Sequence, residues 1–184
     1  MLIRFFRQPA IDPLQVSMTG VKMGEKFLLV GCDDGVLLAG LGAKVGLSGL
    51  AAAVLFDEDQ AVRARKAAAQ EGFLLDSKIA RDSSVPFDDA MFDMAVVDDT
   101  RGGFANRPAE FRAEVLRQVW RVLRKSGGRV EIIEGLGSSG PFGKATPRPE
   151  GYDAAAELEA AGFRPVRVLA ELPNFRFVEG LRVS

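Results

Sequence analysis

The chain has 184 residues, 47% hydrophobic and 27% charged, with 24 Lys and Arg set against 25 Asp and Glu. This describes one ordinary globular domain and offers no basic tract for nucleic acid. Histidine is absent, which excludes Ser-His-Asp relays, Cys-His nucleophiles, His-ligated zinc and histidine general bases. Acid–base work falls to carboxylates, lysine or the single tyrosine, Tyr152.

In chain order, residues 1–22 read as an N-terminal arm and 23–184 as a single domain. The opening MLIRFFRQP is too short, and too broken by Arg4, Arg7 and Pro9, for a signal peptide or a spanning helix, so no membrane partner is expected. Phe5 and Phe6 in this arm suggest packing on the domain or on a second copy, and a homodimer is one such arrangement. The first strand is Lys26 to Val30, a continuous apolar run closed by Gly31. Val36 to Val45 reads as a helix ending near Gly46, and Gly49 opens a second strand, Leu50 to Phe56. Gln60 to Glu71, rich in Ala, Arg and Lys, is a helix stopped by Gly72.

A third strand is expected around Leu74 to Ala80, then a turn at Pro86 to Asp89. A buried fourth strand, Phe92 to Val97, runs into Asp98 and Asp99. Pro108 to Arg124 is the clearest helix: Phe111, Val115, Leu116, Val119, Val122 and Leu123 form one stripe, and Pro108 suits a first turn. Ser126, Gly127 and Gly128 end it before a fifth strand, Arg129 to Glu134. Gly135 to Pro149, rich in Gly, Ser and Pro, is expected as a mobile loop over the site. A helix at Asp153 to Ala161 and a closing hairpin, Val166 to Leu172 with Phe175 to Val183, complete the chain, with no internal repeat. Strands alternating with helices across short loops predict a parallel sheet covered on both faces. The lone Cys32 cannot form an internal disulfide, which points to the cytoplasm.

Two motifs carry a family resemblance: VPFDDAMFDMAVV, Val85 to Val97, and VWRVLRKSGGRVEIIEG, Val119 to Gly135, followed by AGFRPV at 161–166. With these the chain, from about Met23 onward, resembles class I S-adenosylmethionine-dependent methyltransferases, most of all the small-molecule group that includes quinone-biosynthesis C-methyltransferases. The resemblance implies a Rossmann-like α/β fold with a mostly parallel seven-stranded sheet, helices on both faces and a C-terminal β-hairpin. S-adenosylmethionine would be the cofactor and a small molecule the methyl acceptor. The motif residues Phe87, Phe92, Val96, Val97, Gly127 and Gly128 would also serve the core and turns of any parallel sheet, so function rests on the site.

Candidate cofactor residues under this resemblance are Gly31, Cys32, Asp33 and Gly35 in the first turn, Leu55, Phe56 and Asp57 after the second strand, and Arg81, Asp82 and Ser83 after the third. Asp98 and Asp99 are the candidate catalytic carboxylates, with helix caps or solvated acids as the plainer alternative. Three positions depart from the family pattern: Leu29 replaces an acid, Asp33 a central glycine, and Leu55 the acid that accepts the ribose hydroxyls. Loss of hydrogen bonds to a charged acceptor costs about 1.5–3 kcal/mol, or roughly tenfold to a hundredfold in affinity. Asp33 would repel a cofactor carboxylate and attract an ammonium or sulfonium.

Three readings follow: a methyltransferase with an altered loop; a methyltransferase-fold binding or assembly protein that has lost the cofactor; and, ranked last, a nicotinamide-dependent oxidoreductase. The last is disfavoured because Gly31 and Gly35 do not complete G-x-G-x-x-G.

Overall fold

The structure, a computed structural model, describes residues 12–137 and 147–184. Phe5 and Phe6, and most of the Gly135 to Pro149 loop, lie outside the described residues. The elements in order are α1 (Pro13–Met18), β1 (Lys26–Val30), α2 (Val36–Val45), β2 (Leu50–Leu55), α3 (Glu58–Glu71), β3 (Leu75–Ile79), β4 (Met94–Asp99), α4 (Ala109–Val122), β5 (Gly128–Gly135), α5 (Ala154–Ala160), β6 (Val166–Glu171) and β7 (Phe175–Arg182). The seven strands form one sheet in the order β3-β2-β1-β4-β5-β7-β6. The first five run parallel, and β7 pairs antiparallel with both β5 and β6. The chain thus has the mostly parallel sheet that the alternation of elements predicts and the Rossmann-like architecture that the resemblance implies, closed by its C-terminal hairpin.

The continuous apolar runs of β1, β2 and β4 are explained by burial on both faces. Leu28, Val30, Val54 and Val97 face α4 and α5, packing on Val115, Leu116, Val119 and Leu158. Phe27, Leu29, Leu55 and Val96 face the other way, toward Val16 of α1 and Leu37, Leu38 and Leu41 of α2. On β5 and β7 this second face is polar at one level, where Glu131 stands directly across the ladder from Glu179. Glu131 is fully buried.

Several boundaries shift. Helix α1 falls within the expected arm, capped by the Asp12 side chain with Pro13 in the first turn. Phe56 leaves β2, and α3 starts before Gln60, because Asp57 caps it and accepts the Gln60 backbone N–H at 2.9 Å. Gln60 reciprocates by accepting the Phe56 N–H at 3.0 Å. Phe92 makes only an isolated bridge to Leu123, and β4 instead includes Asp98 and Asp99, paired with Ile133 and Glu134 of β5.

Candidate functional site

In an open α/β sheet the ligand crevice lies beyond the carboxyl ends of the strands, where the strand order reverses. Here that point is between β1 and β4. The turn after β1 opens with Gly31, at φ +77°, where an added Cβ would lie 3.4 Å from the Phe56 ring and 3.5 Å from the Asp98 carbonyl oxygen. Gly31 is therefore covered by Phe56. Gly35, at φ +85°, starts α2 and sits against Ala67 and the Arg63 carbonyl of α3. Between them, Cys32 is fully buried, and its carbonyl accepts from Arg63 Nε at 3.1 Å. Burial, then the neighbouring Asp98, pushes its thiol up to about 12.

Asp33 crosses the crevice. Its backbone N–H donates to Asp98 Oδ2 at 2.9 Å. Its own Oδ2 accepts the backbone N–H groups of Arg101 at 2.7 Å and Gly103 at 3.2 Å. A Cβ on Gly103 would lie 2.0 Å from Asp33 Oδ1, so this contact needs a glycine opposite it. Burial raises the Asp33 carboxyl above its ordinary value against the pull of those two amides. Beside it, Asp34 pairs with Arg101 at 3.0 Å.

The end of β2 is filled in a similar way. Leu55 is wholly buried in the core. Phe56 packs edge-on against Phe111, with ring centroids 5.1 Å apart and planes at 82°. Asp57, whose Oδ1 caps α3, accepts from the Arg107 guanidinium at Oδ2, 3.0 Å away. The Arg107 guanidinium lies 5.1 Å from the Phe56 ring centroid and 5.9 Å from that of Phe111. Burial opposes ionisation of Asp57, but the Gln60 amide and Arg107 together hold its carboxyl below its ordinary value.

The third predicted group is not brought into this cluster. Arg81 is exposed and faces Glu58 at 3.5 Å, the Asp82 carboxylate accepts the Ser84 hydroxyl at 2.7 Å, and Ser83 takes φ +63° in the same turn.

The two β4 carboxylates are buried. Asp98 accepts the Thr100 hydroxyl at 2.6 Å, while Asp99 Oδ1 accepts the backbone N–H groups of Phe104 at 3.0 Å and Ala105 at 2.8 Å. Asp99 Oδ2 has no hydrogen-bond partner among the described residues. Burial, followed by the charge of Asp33, pushes Asp98 up to about 6. Burial likewise pushes Asp99 up to about 6, against the Ala105 amide and Arg148. Next to them Glu134 pairs with Arg148, and Arg112 lies 5.0 Å over the Tyr152 ring.

A cavity of about 210 Å³ opens beside this turn, bounded by Asp12, Gln15, Asp34, Val36, Thr100, Arg101 and Phe175. Thr100, Arg101, Gly103 and Arg107 were not among the expected site residues. They lie in one irregular loop whose sequence, TRGGFANRP, has no periodicity to mark which side chains turn inward. Among the described residues no three acidic or cysteine side chains gather to hold a metal, and no helix is long and apolar enough to cross a membrane.

The sequence profile of the ubiE/COQ5 methyltransferase family matches residues 11–141. No curated protein matches the chain in sequence. Among solved structures, the chain is similar to a SAM dependent methyltransferase from Aquifex aeolicus, with 23% identity over 94% of this chain and 95% of that one and a TM-score of 0.73. It is similar also to the PH0226 protein from Pyrococcus horikoshii OT3, with 13% identity over 94% and 88% and a TM-score of 0.63. A third likeness is to PigF with SAH, with 16% identity over 85% and 50% and a TM-score of 0.62. At these identities the likeness is one of fold.

Proposed function

The chain belongs to the ubiE/COQ5 methyltransferase family and has the fold of S-adenosylmethionine-dependent methyltransferases; from that premise we propose that it works as a binding or assembly protein whose own side chains fill the cofactor crevice. The family implies S-adenosylmethionine, and the PigF structure carries SAH. The residues of this chain do not fit that group. A thioether nucleoside lying from β1 to β4 needs open backbone in the first turn, because glycine there lets the ligand approach. The observation that carries the reading is the Asp33 carboxylate spanning that gap to the Arg101 and Gly103 amides. Leu55 offers no acceptor to ribose hydroxyls, and both oxygens of Asp57 are already engaged.

Isothermal titration with S-adenosylhomocysteine tests this reading. Silence up to millimolar ligand is expected, and binding in the micromolar range overturns it. A cytoplasmic setting belongs to the same proposal, supported by the lone, buried Cys32.

One observation favours a second reading, S-adenosylmethionine-dependent methyl transfer to a small molecule: the cavity of about 210 Å³ lies beside the same turn and reaches Thr100, next to Asp98. In that reading Asp98 or Asp99, each pushed up to about 6, orients or deprotonates the acceptor. The micromolar result would install it.

A further inference from the structure

Away from the crevice, we infer that the outer edge of β3 is an interface through which two copies of this chain join their sheets around a two-fold axis at Ser77. β3 ends the sheet, and among the described residues no strand pairs with its outer side. The Ala80 N–H donates to the Leu55 carbonyl at 2.7 Å, so the backbone groups of Asp76 and Lys78, which alternate with it in register, also turn inward to β2. Those of Leu75, Ser77 and Ile79 therefore point outward, each offering an N–H and a C=O. The opposite edge is blunted. β6 carries a register shift between Val168 and Ala170, and such a bulge bends an edge away from further pairing. β3 keeps an unbroken register from Leu75 to Ile79.

Self-complementarity identifies the occupant. An antiparallel copy centred on Ser77 sets Ser77 opposite its own counterpart and Leu75 opposite Ile79 of the second copy. These are the residues with outward backbone groups, so they form the hydrogen-bonded pairs. Between them Asp76 falls opposite Lys78 of the second copy, at the non-hydrogen-bonded positions where side chains lie closest. Opposite charges thus meet on both sides of the axis, and an axis at Asp76 or at Lys78 would instead set like charges together. Within one copy Asp76 and Lys78 pair with each other at 3.2 Å, their side chains 43% and 46% exposed, and can reach across. On the other face Leu75 and Ile79 pack on the layer of α2 and α3, which the pairing extends. Val62 of α3 is 56% exposed and lies one turn from Glu58, which faces Arg81 just past β3, so an apolar side chain borders the same edge.

Sedimentation equilibrium over a concentration series, with amide hydrogen exchange beside it, tests the interface. The mass should rise from one chain toward two and level there, because a two-fold contact closes. Exchange at Leu75, Ser77 and Ile79 should slow as the dimer fills, while Asp76 and Lys78, bonded to β2 throughout, should not change. Asp76→Lys turns both attractions across the axis into repulsions and should weaken association by about tenfold or more. Adding Lys78→Asp restores opposite signs and should recover it. Lys78→Asp alone is read in the same way if Asp76→Lys does not melt cooperatively. A chain still monomeric at millimolar concentration overturns the inference. So does a dimer indifferent to the charge reversal, one that the double variant does not recover, or one whose β3 amides exchange as in the monomer, each of which puts the contact on another face. Neither reading of the crevice bears on this edge, so titration with S-adenosylhomocysteine and self-association succeed or fail separately.

Discussion

Replacing Glu131 with glutamine should remove a large pH dependence of stability. Glu131 is fully buried on β5, neither of its oxygens has a hydrogen-bond partner among the described residues, and Glu179 faces it across the ladder. Burial first, then the Glu179 charge, pushes its carboxyl from 4.5 up to about 8, with Arg129 opposing. The folded state therefore binds a proton more tightly than the unfolded chain. The stability that Glu131 contributes is fully present below 4.5, falls between 4.5 and about 8, and levels off above. At about 1.4 kcal/mol per pH unit across that interval, the loss approaches about 5 kcal/mol. Glutamine has nothing to ionise. Its buried amide costs about 1–3 kcal/mol at every pH, so the variant should be no more stable than wild type at pH 5 and clearly more stable at pH 8. Urea unfolding from pH 5 to 8.5 measures both curves. The slopes from Asp98 and Asp99 are common to both proteins and cancel in the difference. Parallel curves would refute the argument.

Arg112→Ala should destabilise the fold by about 3–5 kcal/mol, the usual cost of breaking a buried ion pair, because Arg112 links α4 to Glu157 of α5 at 2.5–3.0 Å and holds two loop carbonyls. Its melting temperature, read by scanning calorimetry, should fall by about 10 °C. Gly103→Ala should displace the Asp33 carboxylate and cost about as much as Asp33→Ala, roughly 1–3 kcal/mol. A double-mutant cycle should then show strong non-additivity, whereas simple addition would mean that the two residues do not share a contact. Cys32, fully buried with its thiol pushed up to about 12, should react with a disulfide reagent only at the rate of unfolding; prompt labelling of native protein would contradict its placement.

Most of the sheet is legible because β1, β2 and β4 are continuous apolar runs and α4 keeps a single stripe. Helix α1 starts with an Asp12 cap and Pro13, but at six residues it has too few turns for periodicity to mark it in the sequence. Asp57 looked available to a ribose. Its relation to Gln60 three residues on is a capping-box spacing, and that local bond claims it first. Asp98 and Asp99 looked like groups beyond the strand, yet they pair within it, since neighbouring β5 extends to Gly135 and carries the ladder past the apolar run. No sequence pattern could have shown that Asp33 meets the Arg101 and Gly103 amides, or Arg107 meets Asp57. Those contacts join loops 50 to 70 positions apart, and depend on how close the sheet brings two strand ends.

The placing of β7 between β5 and β6 sets an order of assembly. Among the described residues β6 has no neighbour in the sheet except β7, which follows it in the chain. Once synthesised, β6 stays unpaired until β7 follows it, and the hairpin joins the sheet only through the pairing of β7 with β5. A cut at the tight turn between Leu172 and Phe175 would therefore leave β6 tied to the sheet only through its hydrogen bonds to a β7 that is no longer its chain neighbour, with β5 as the sheet's edge once β7 departs.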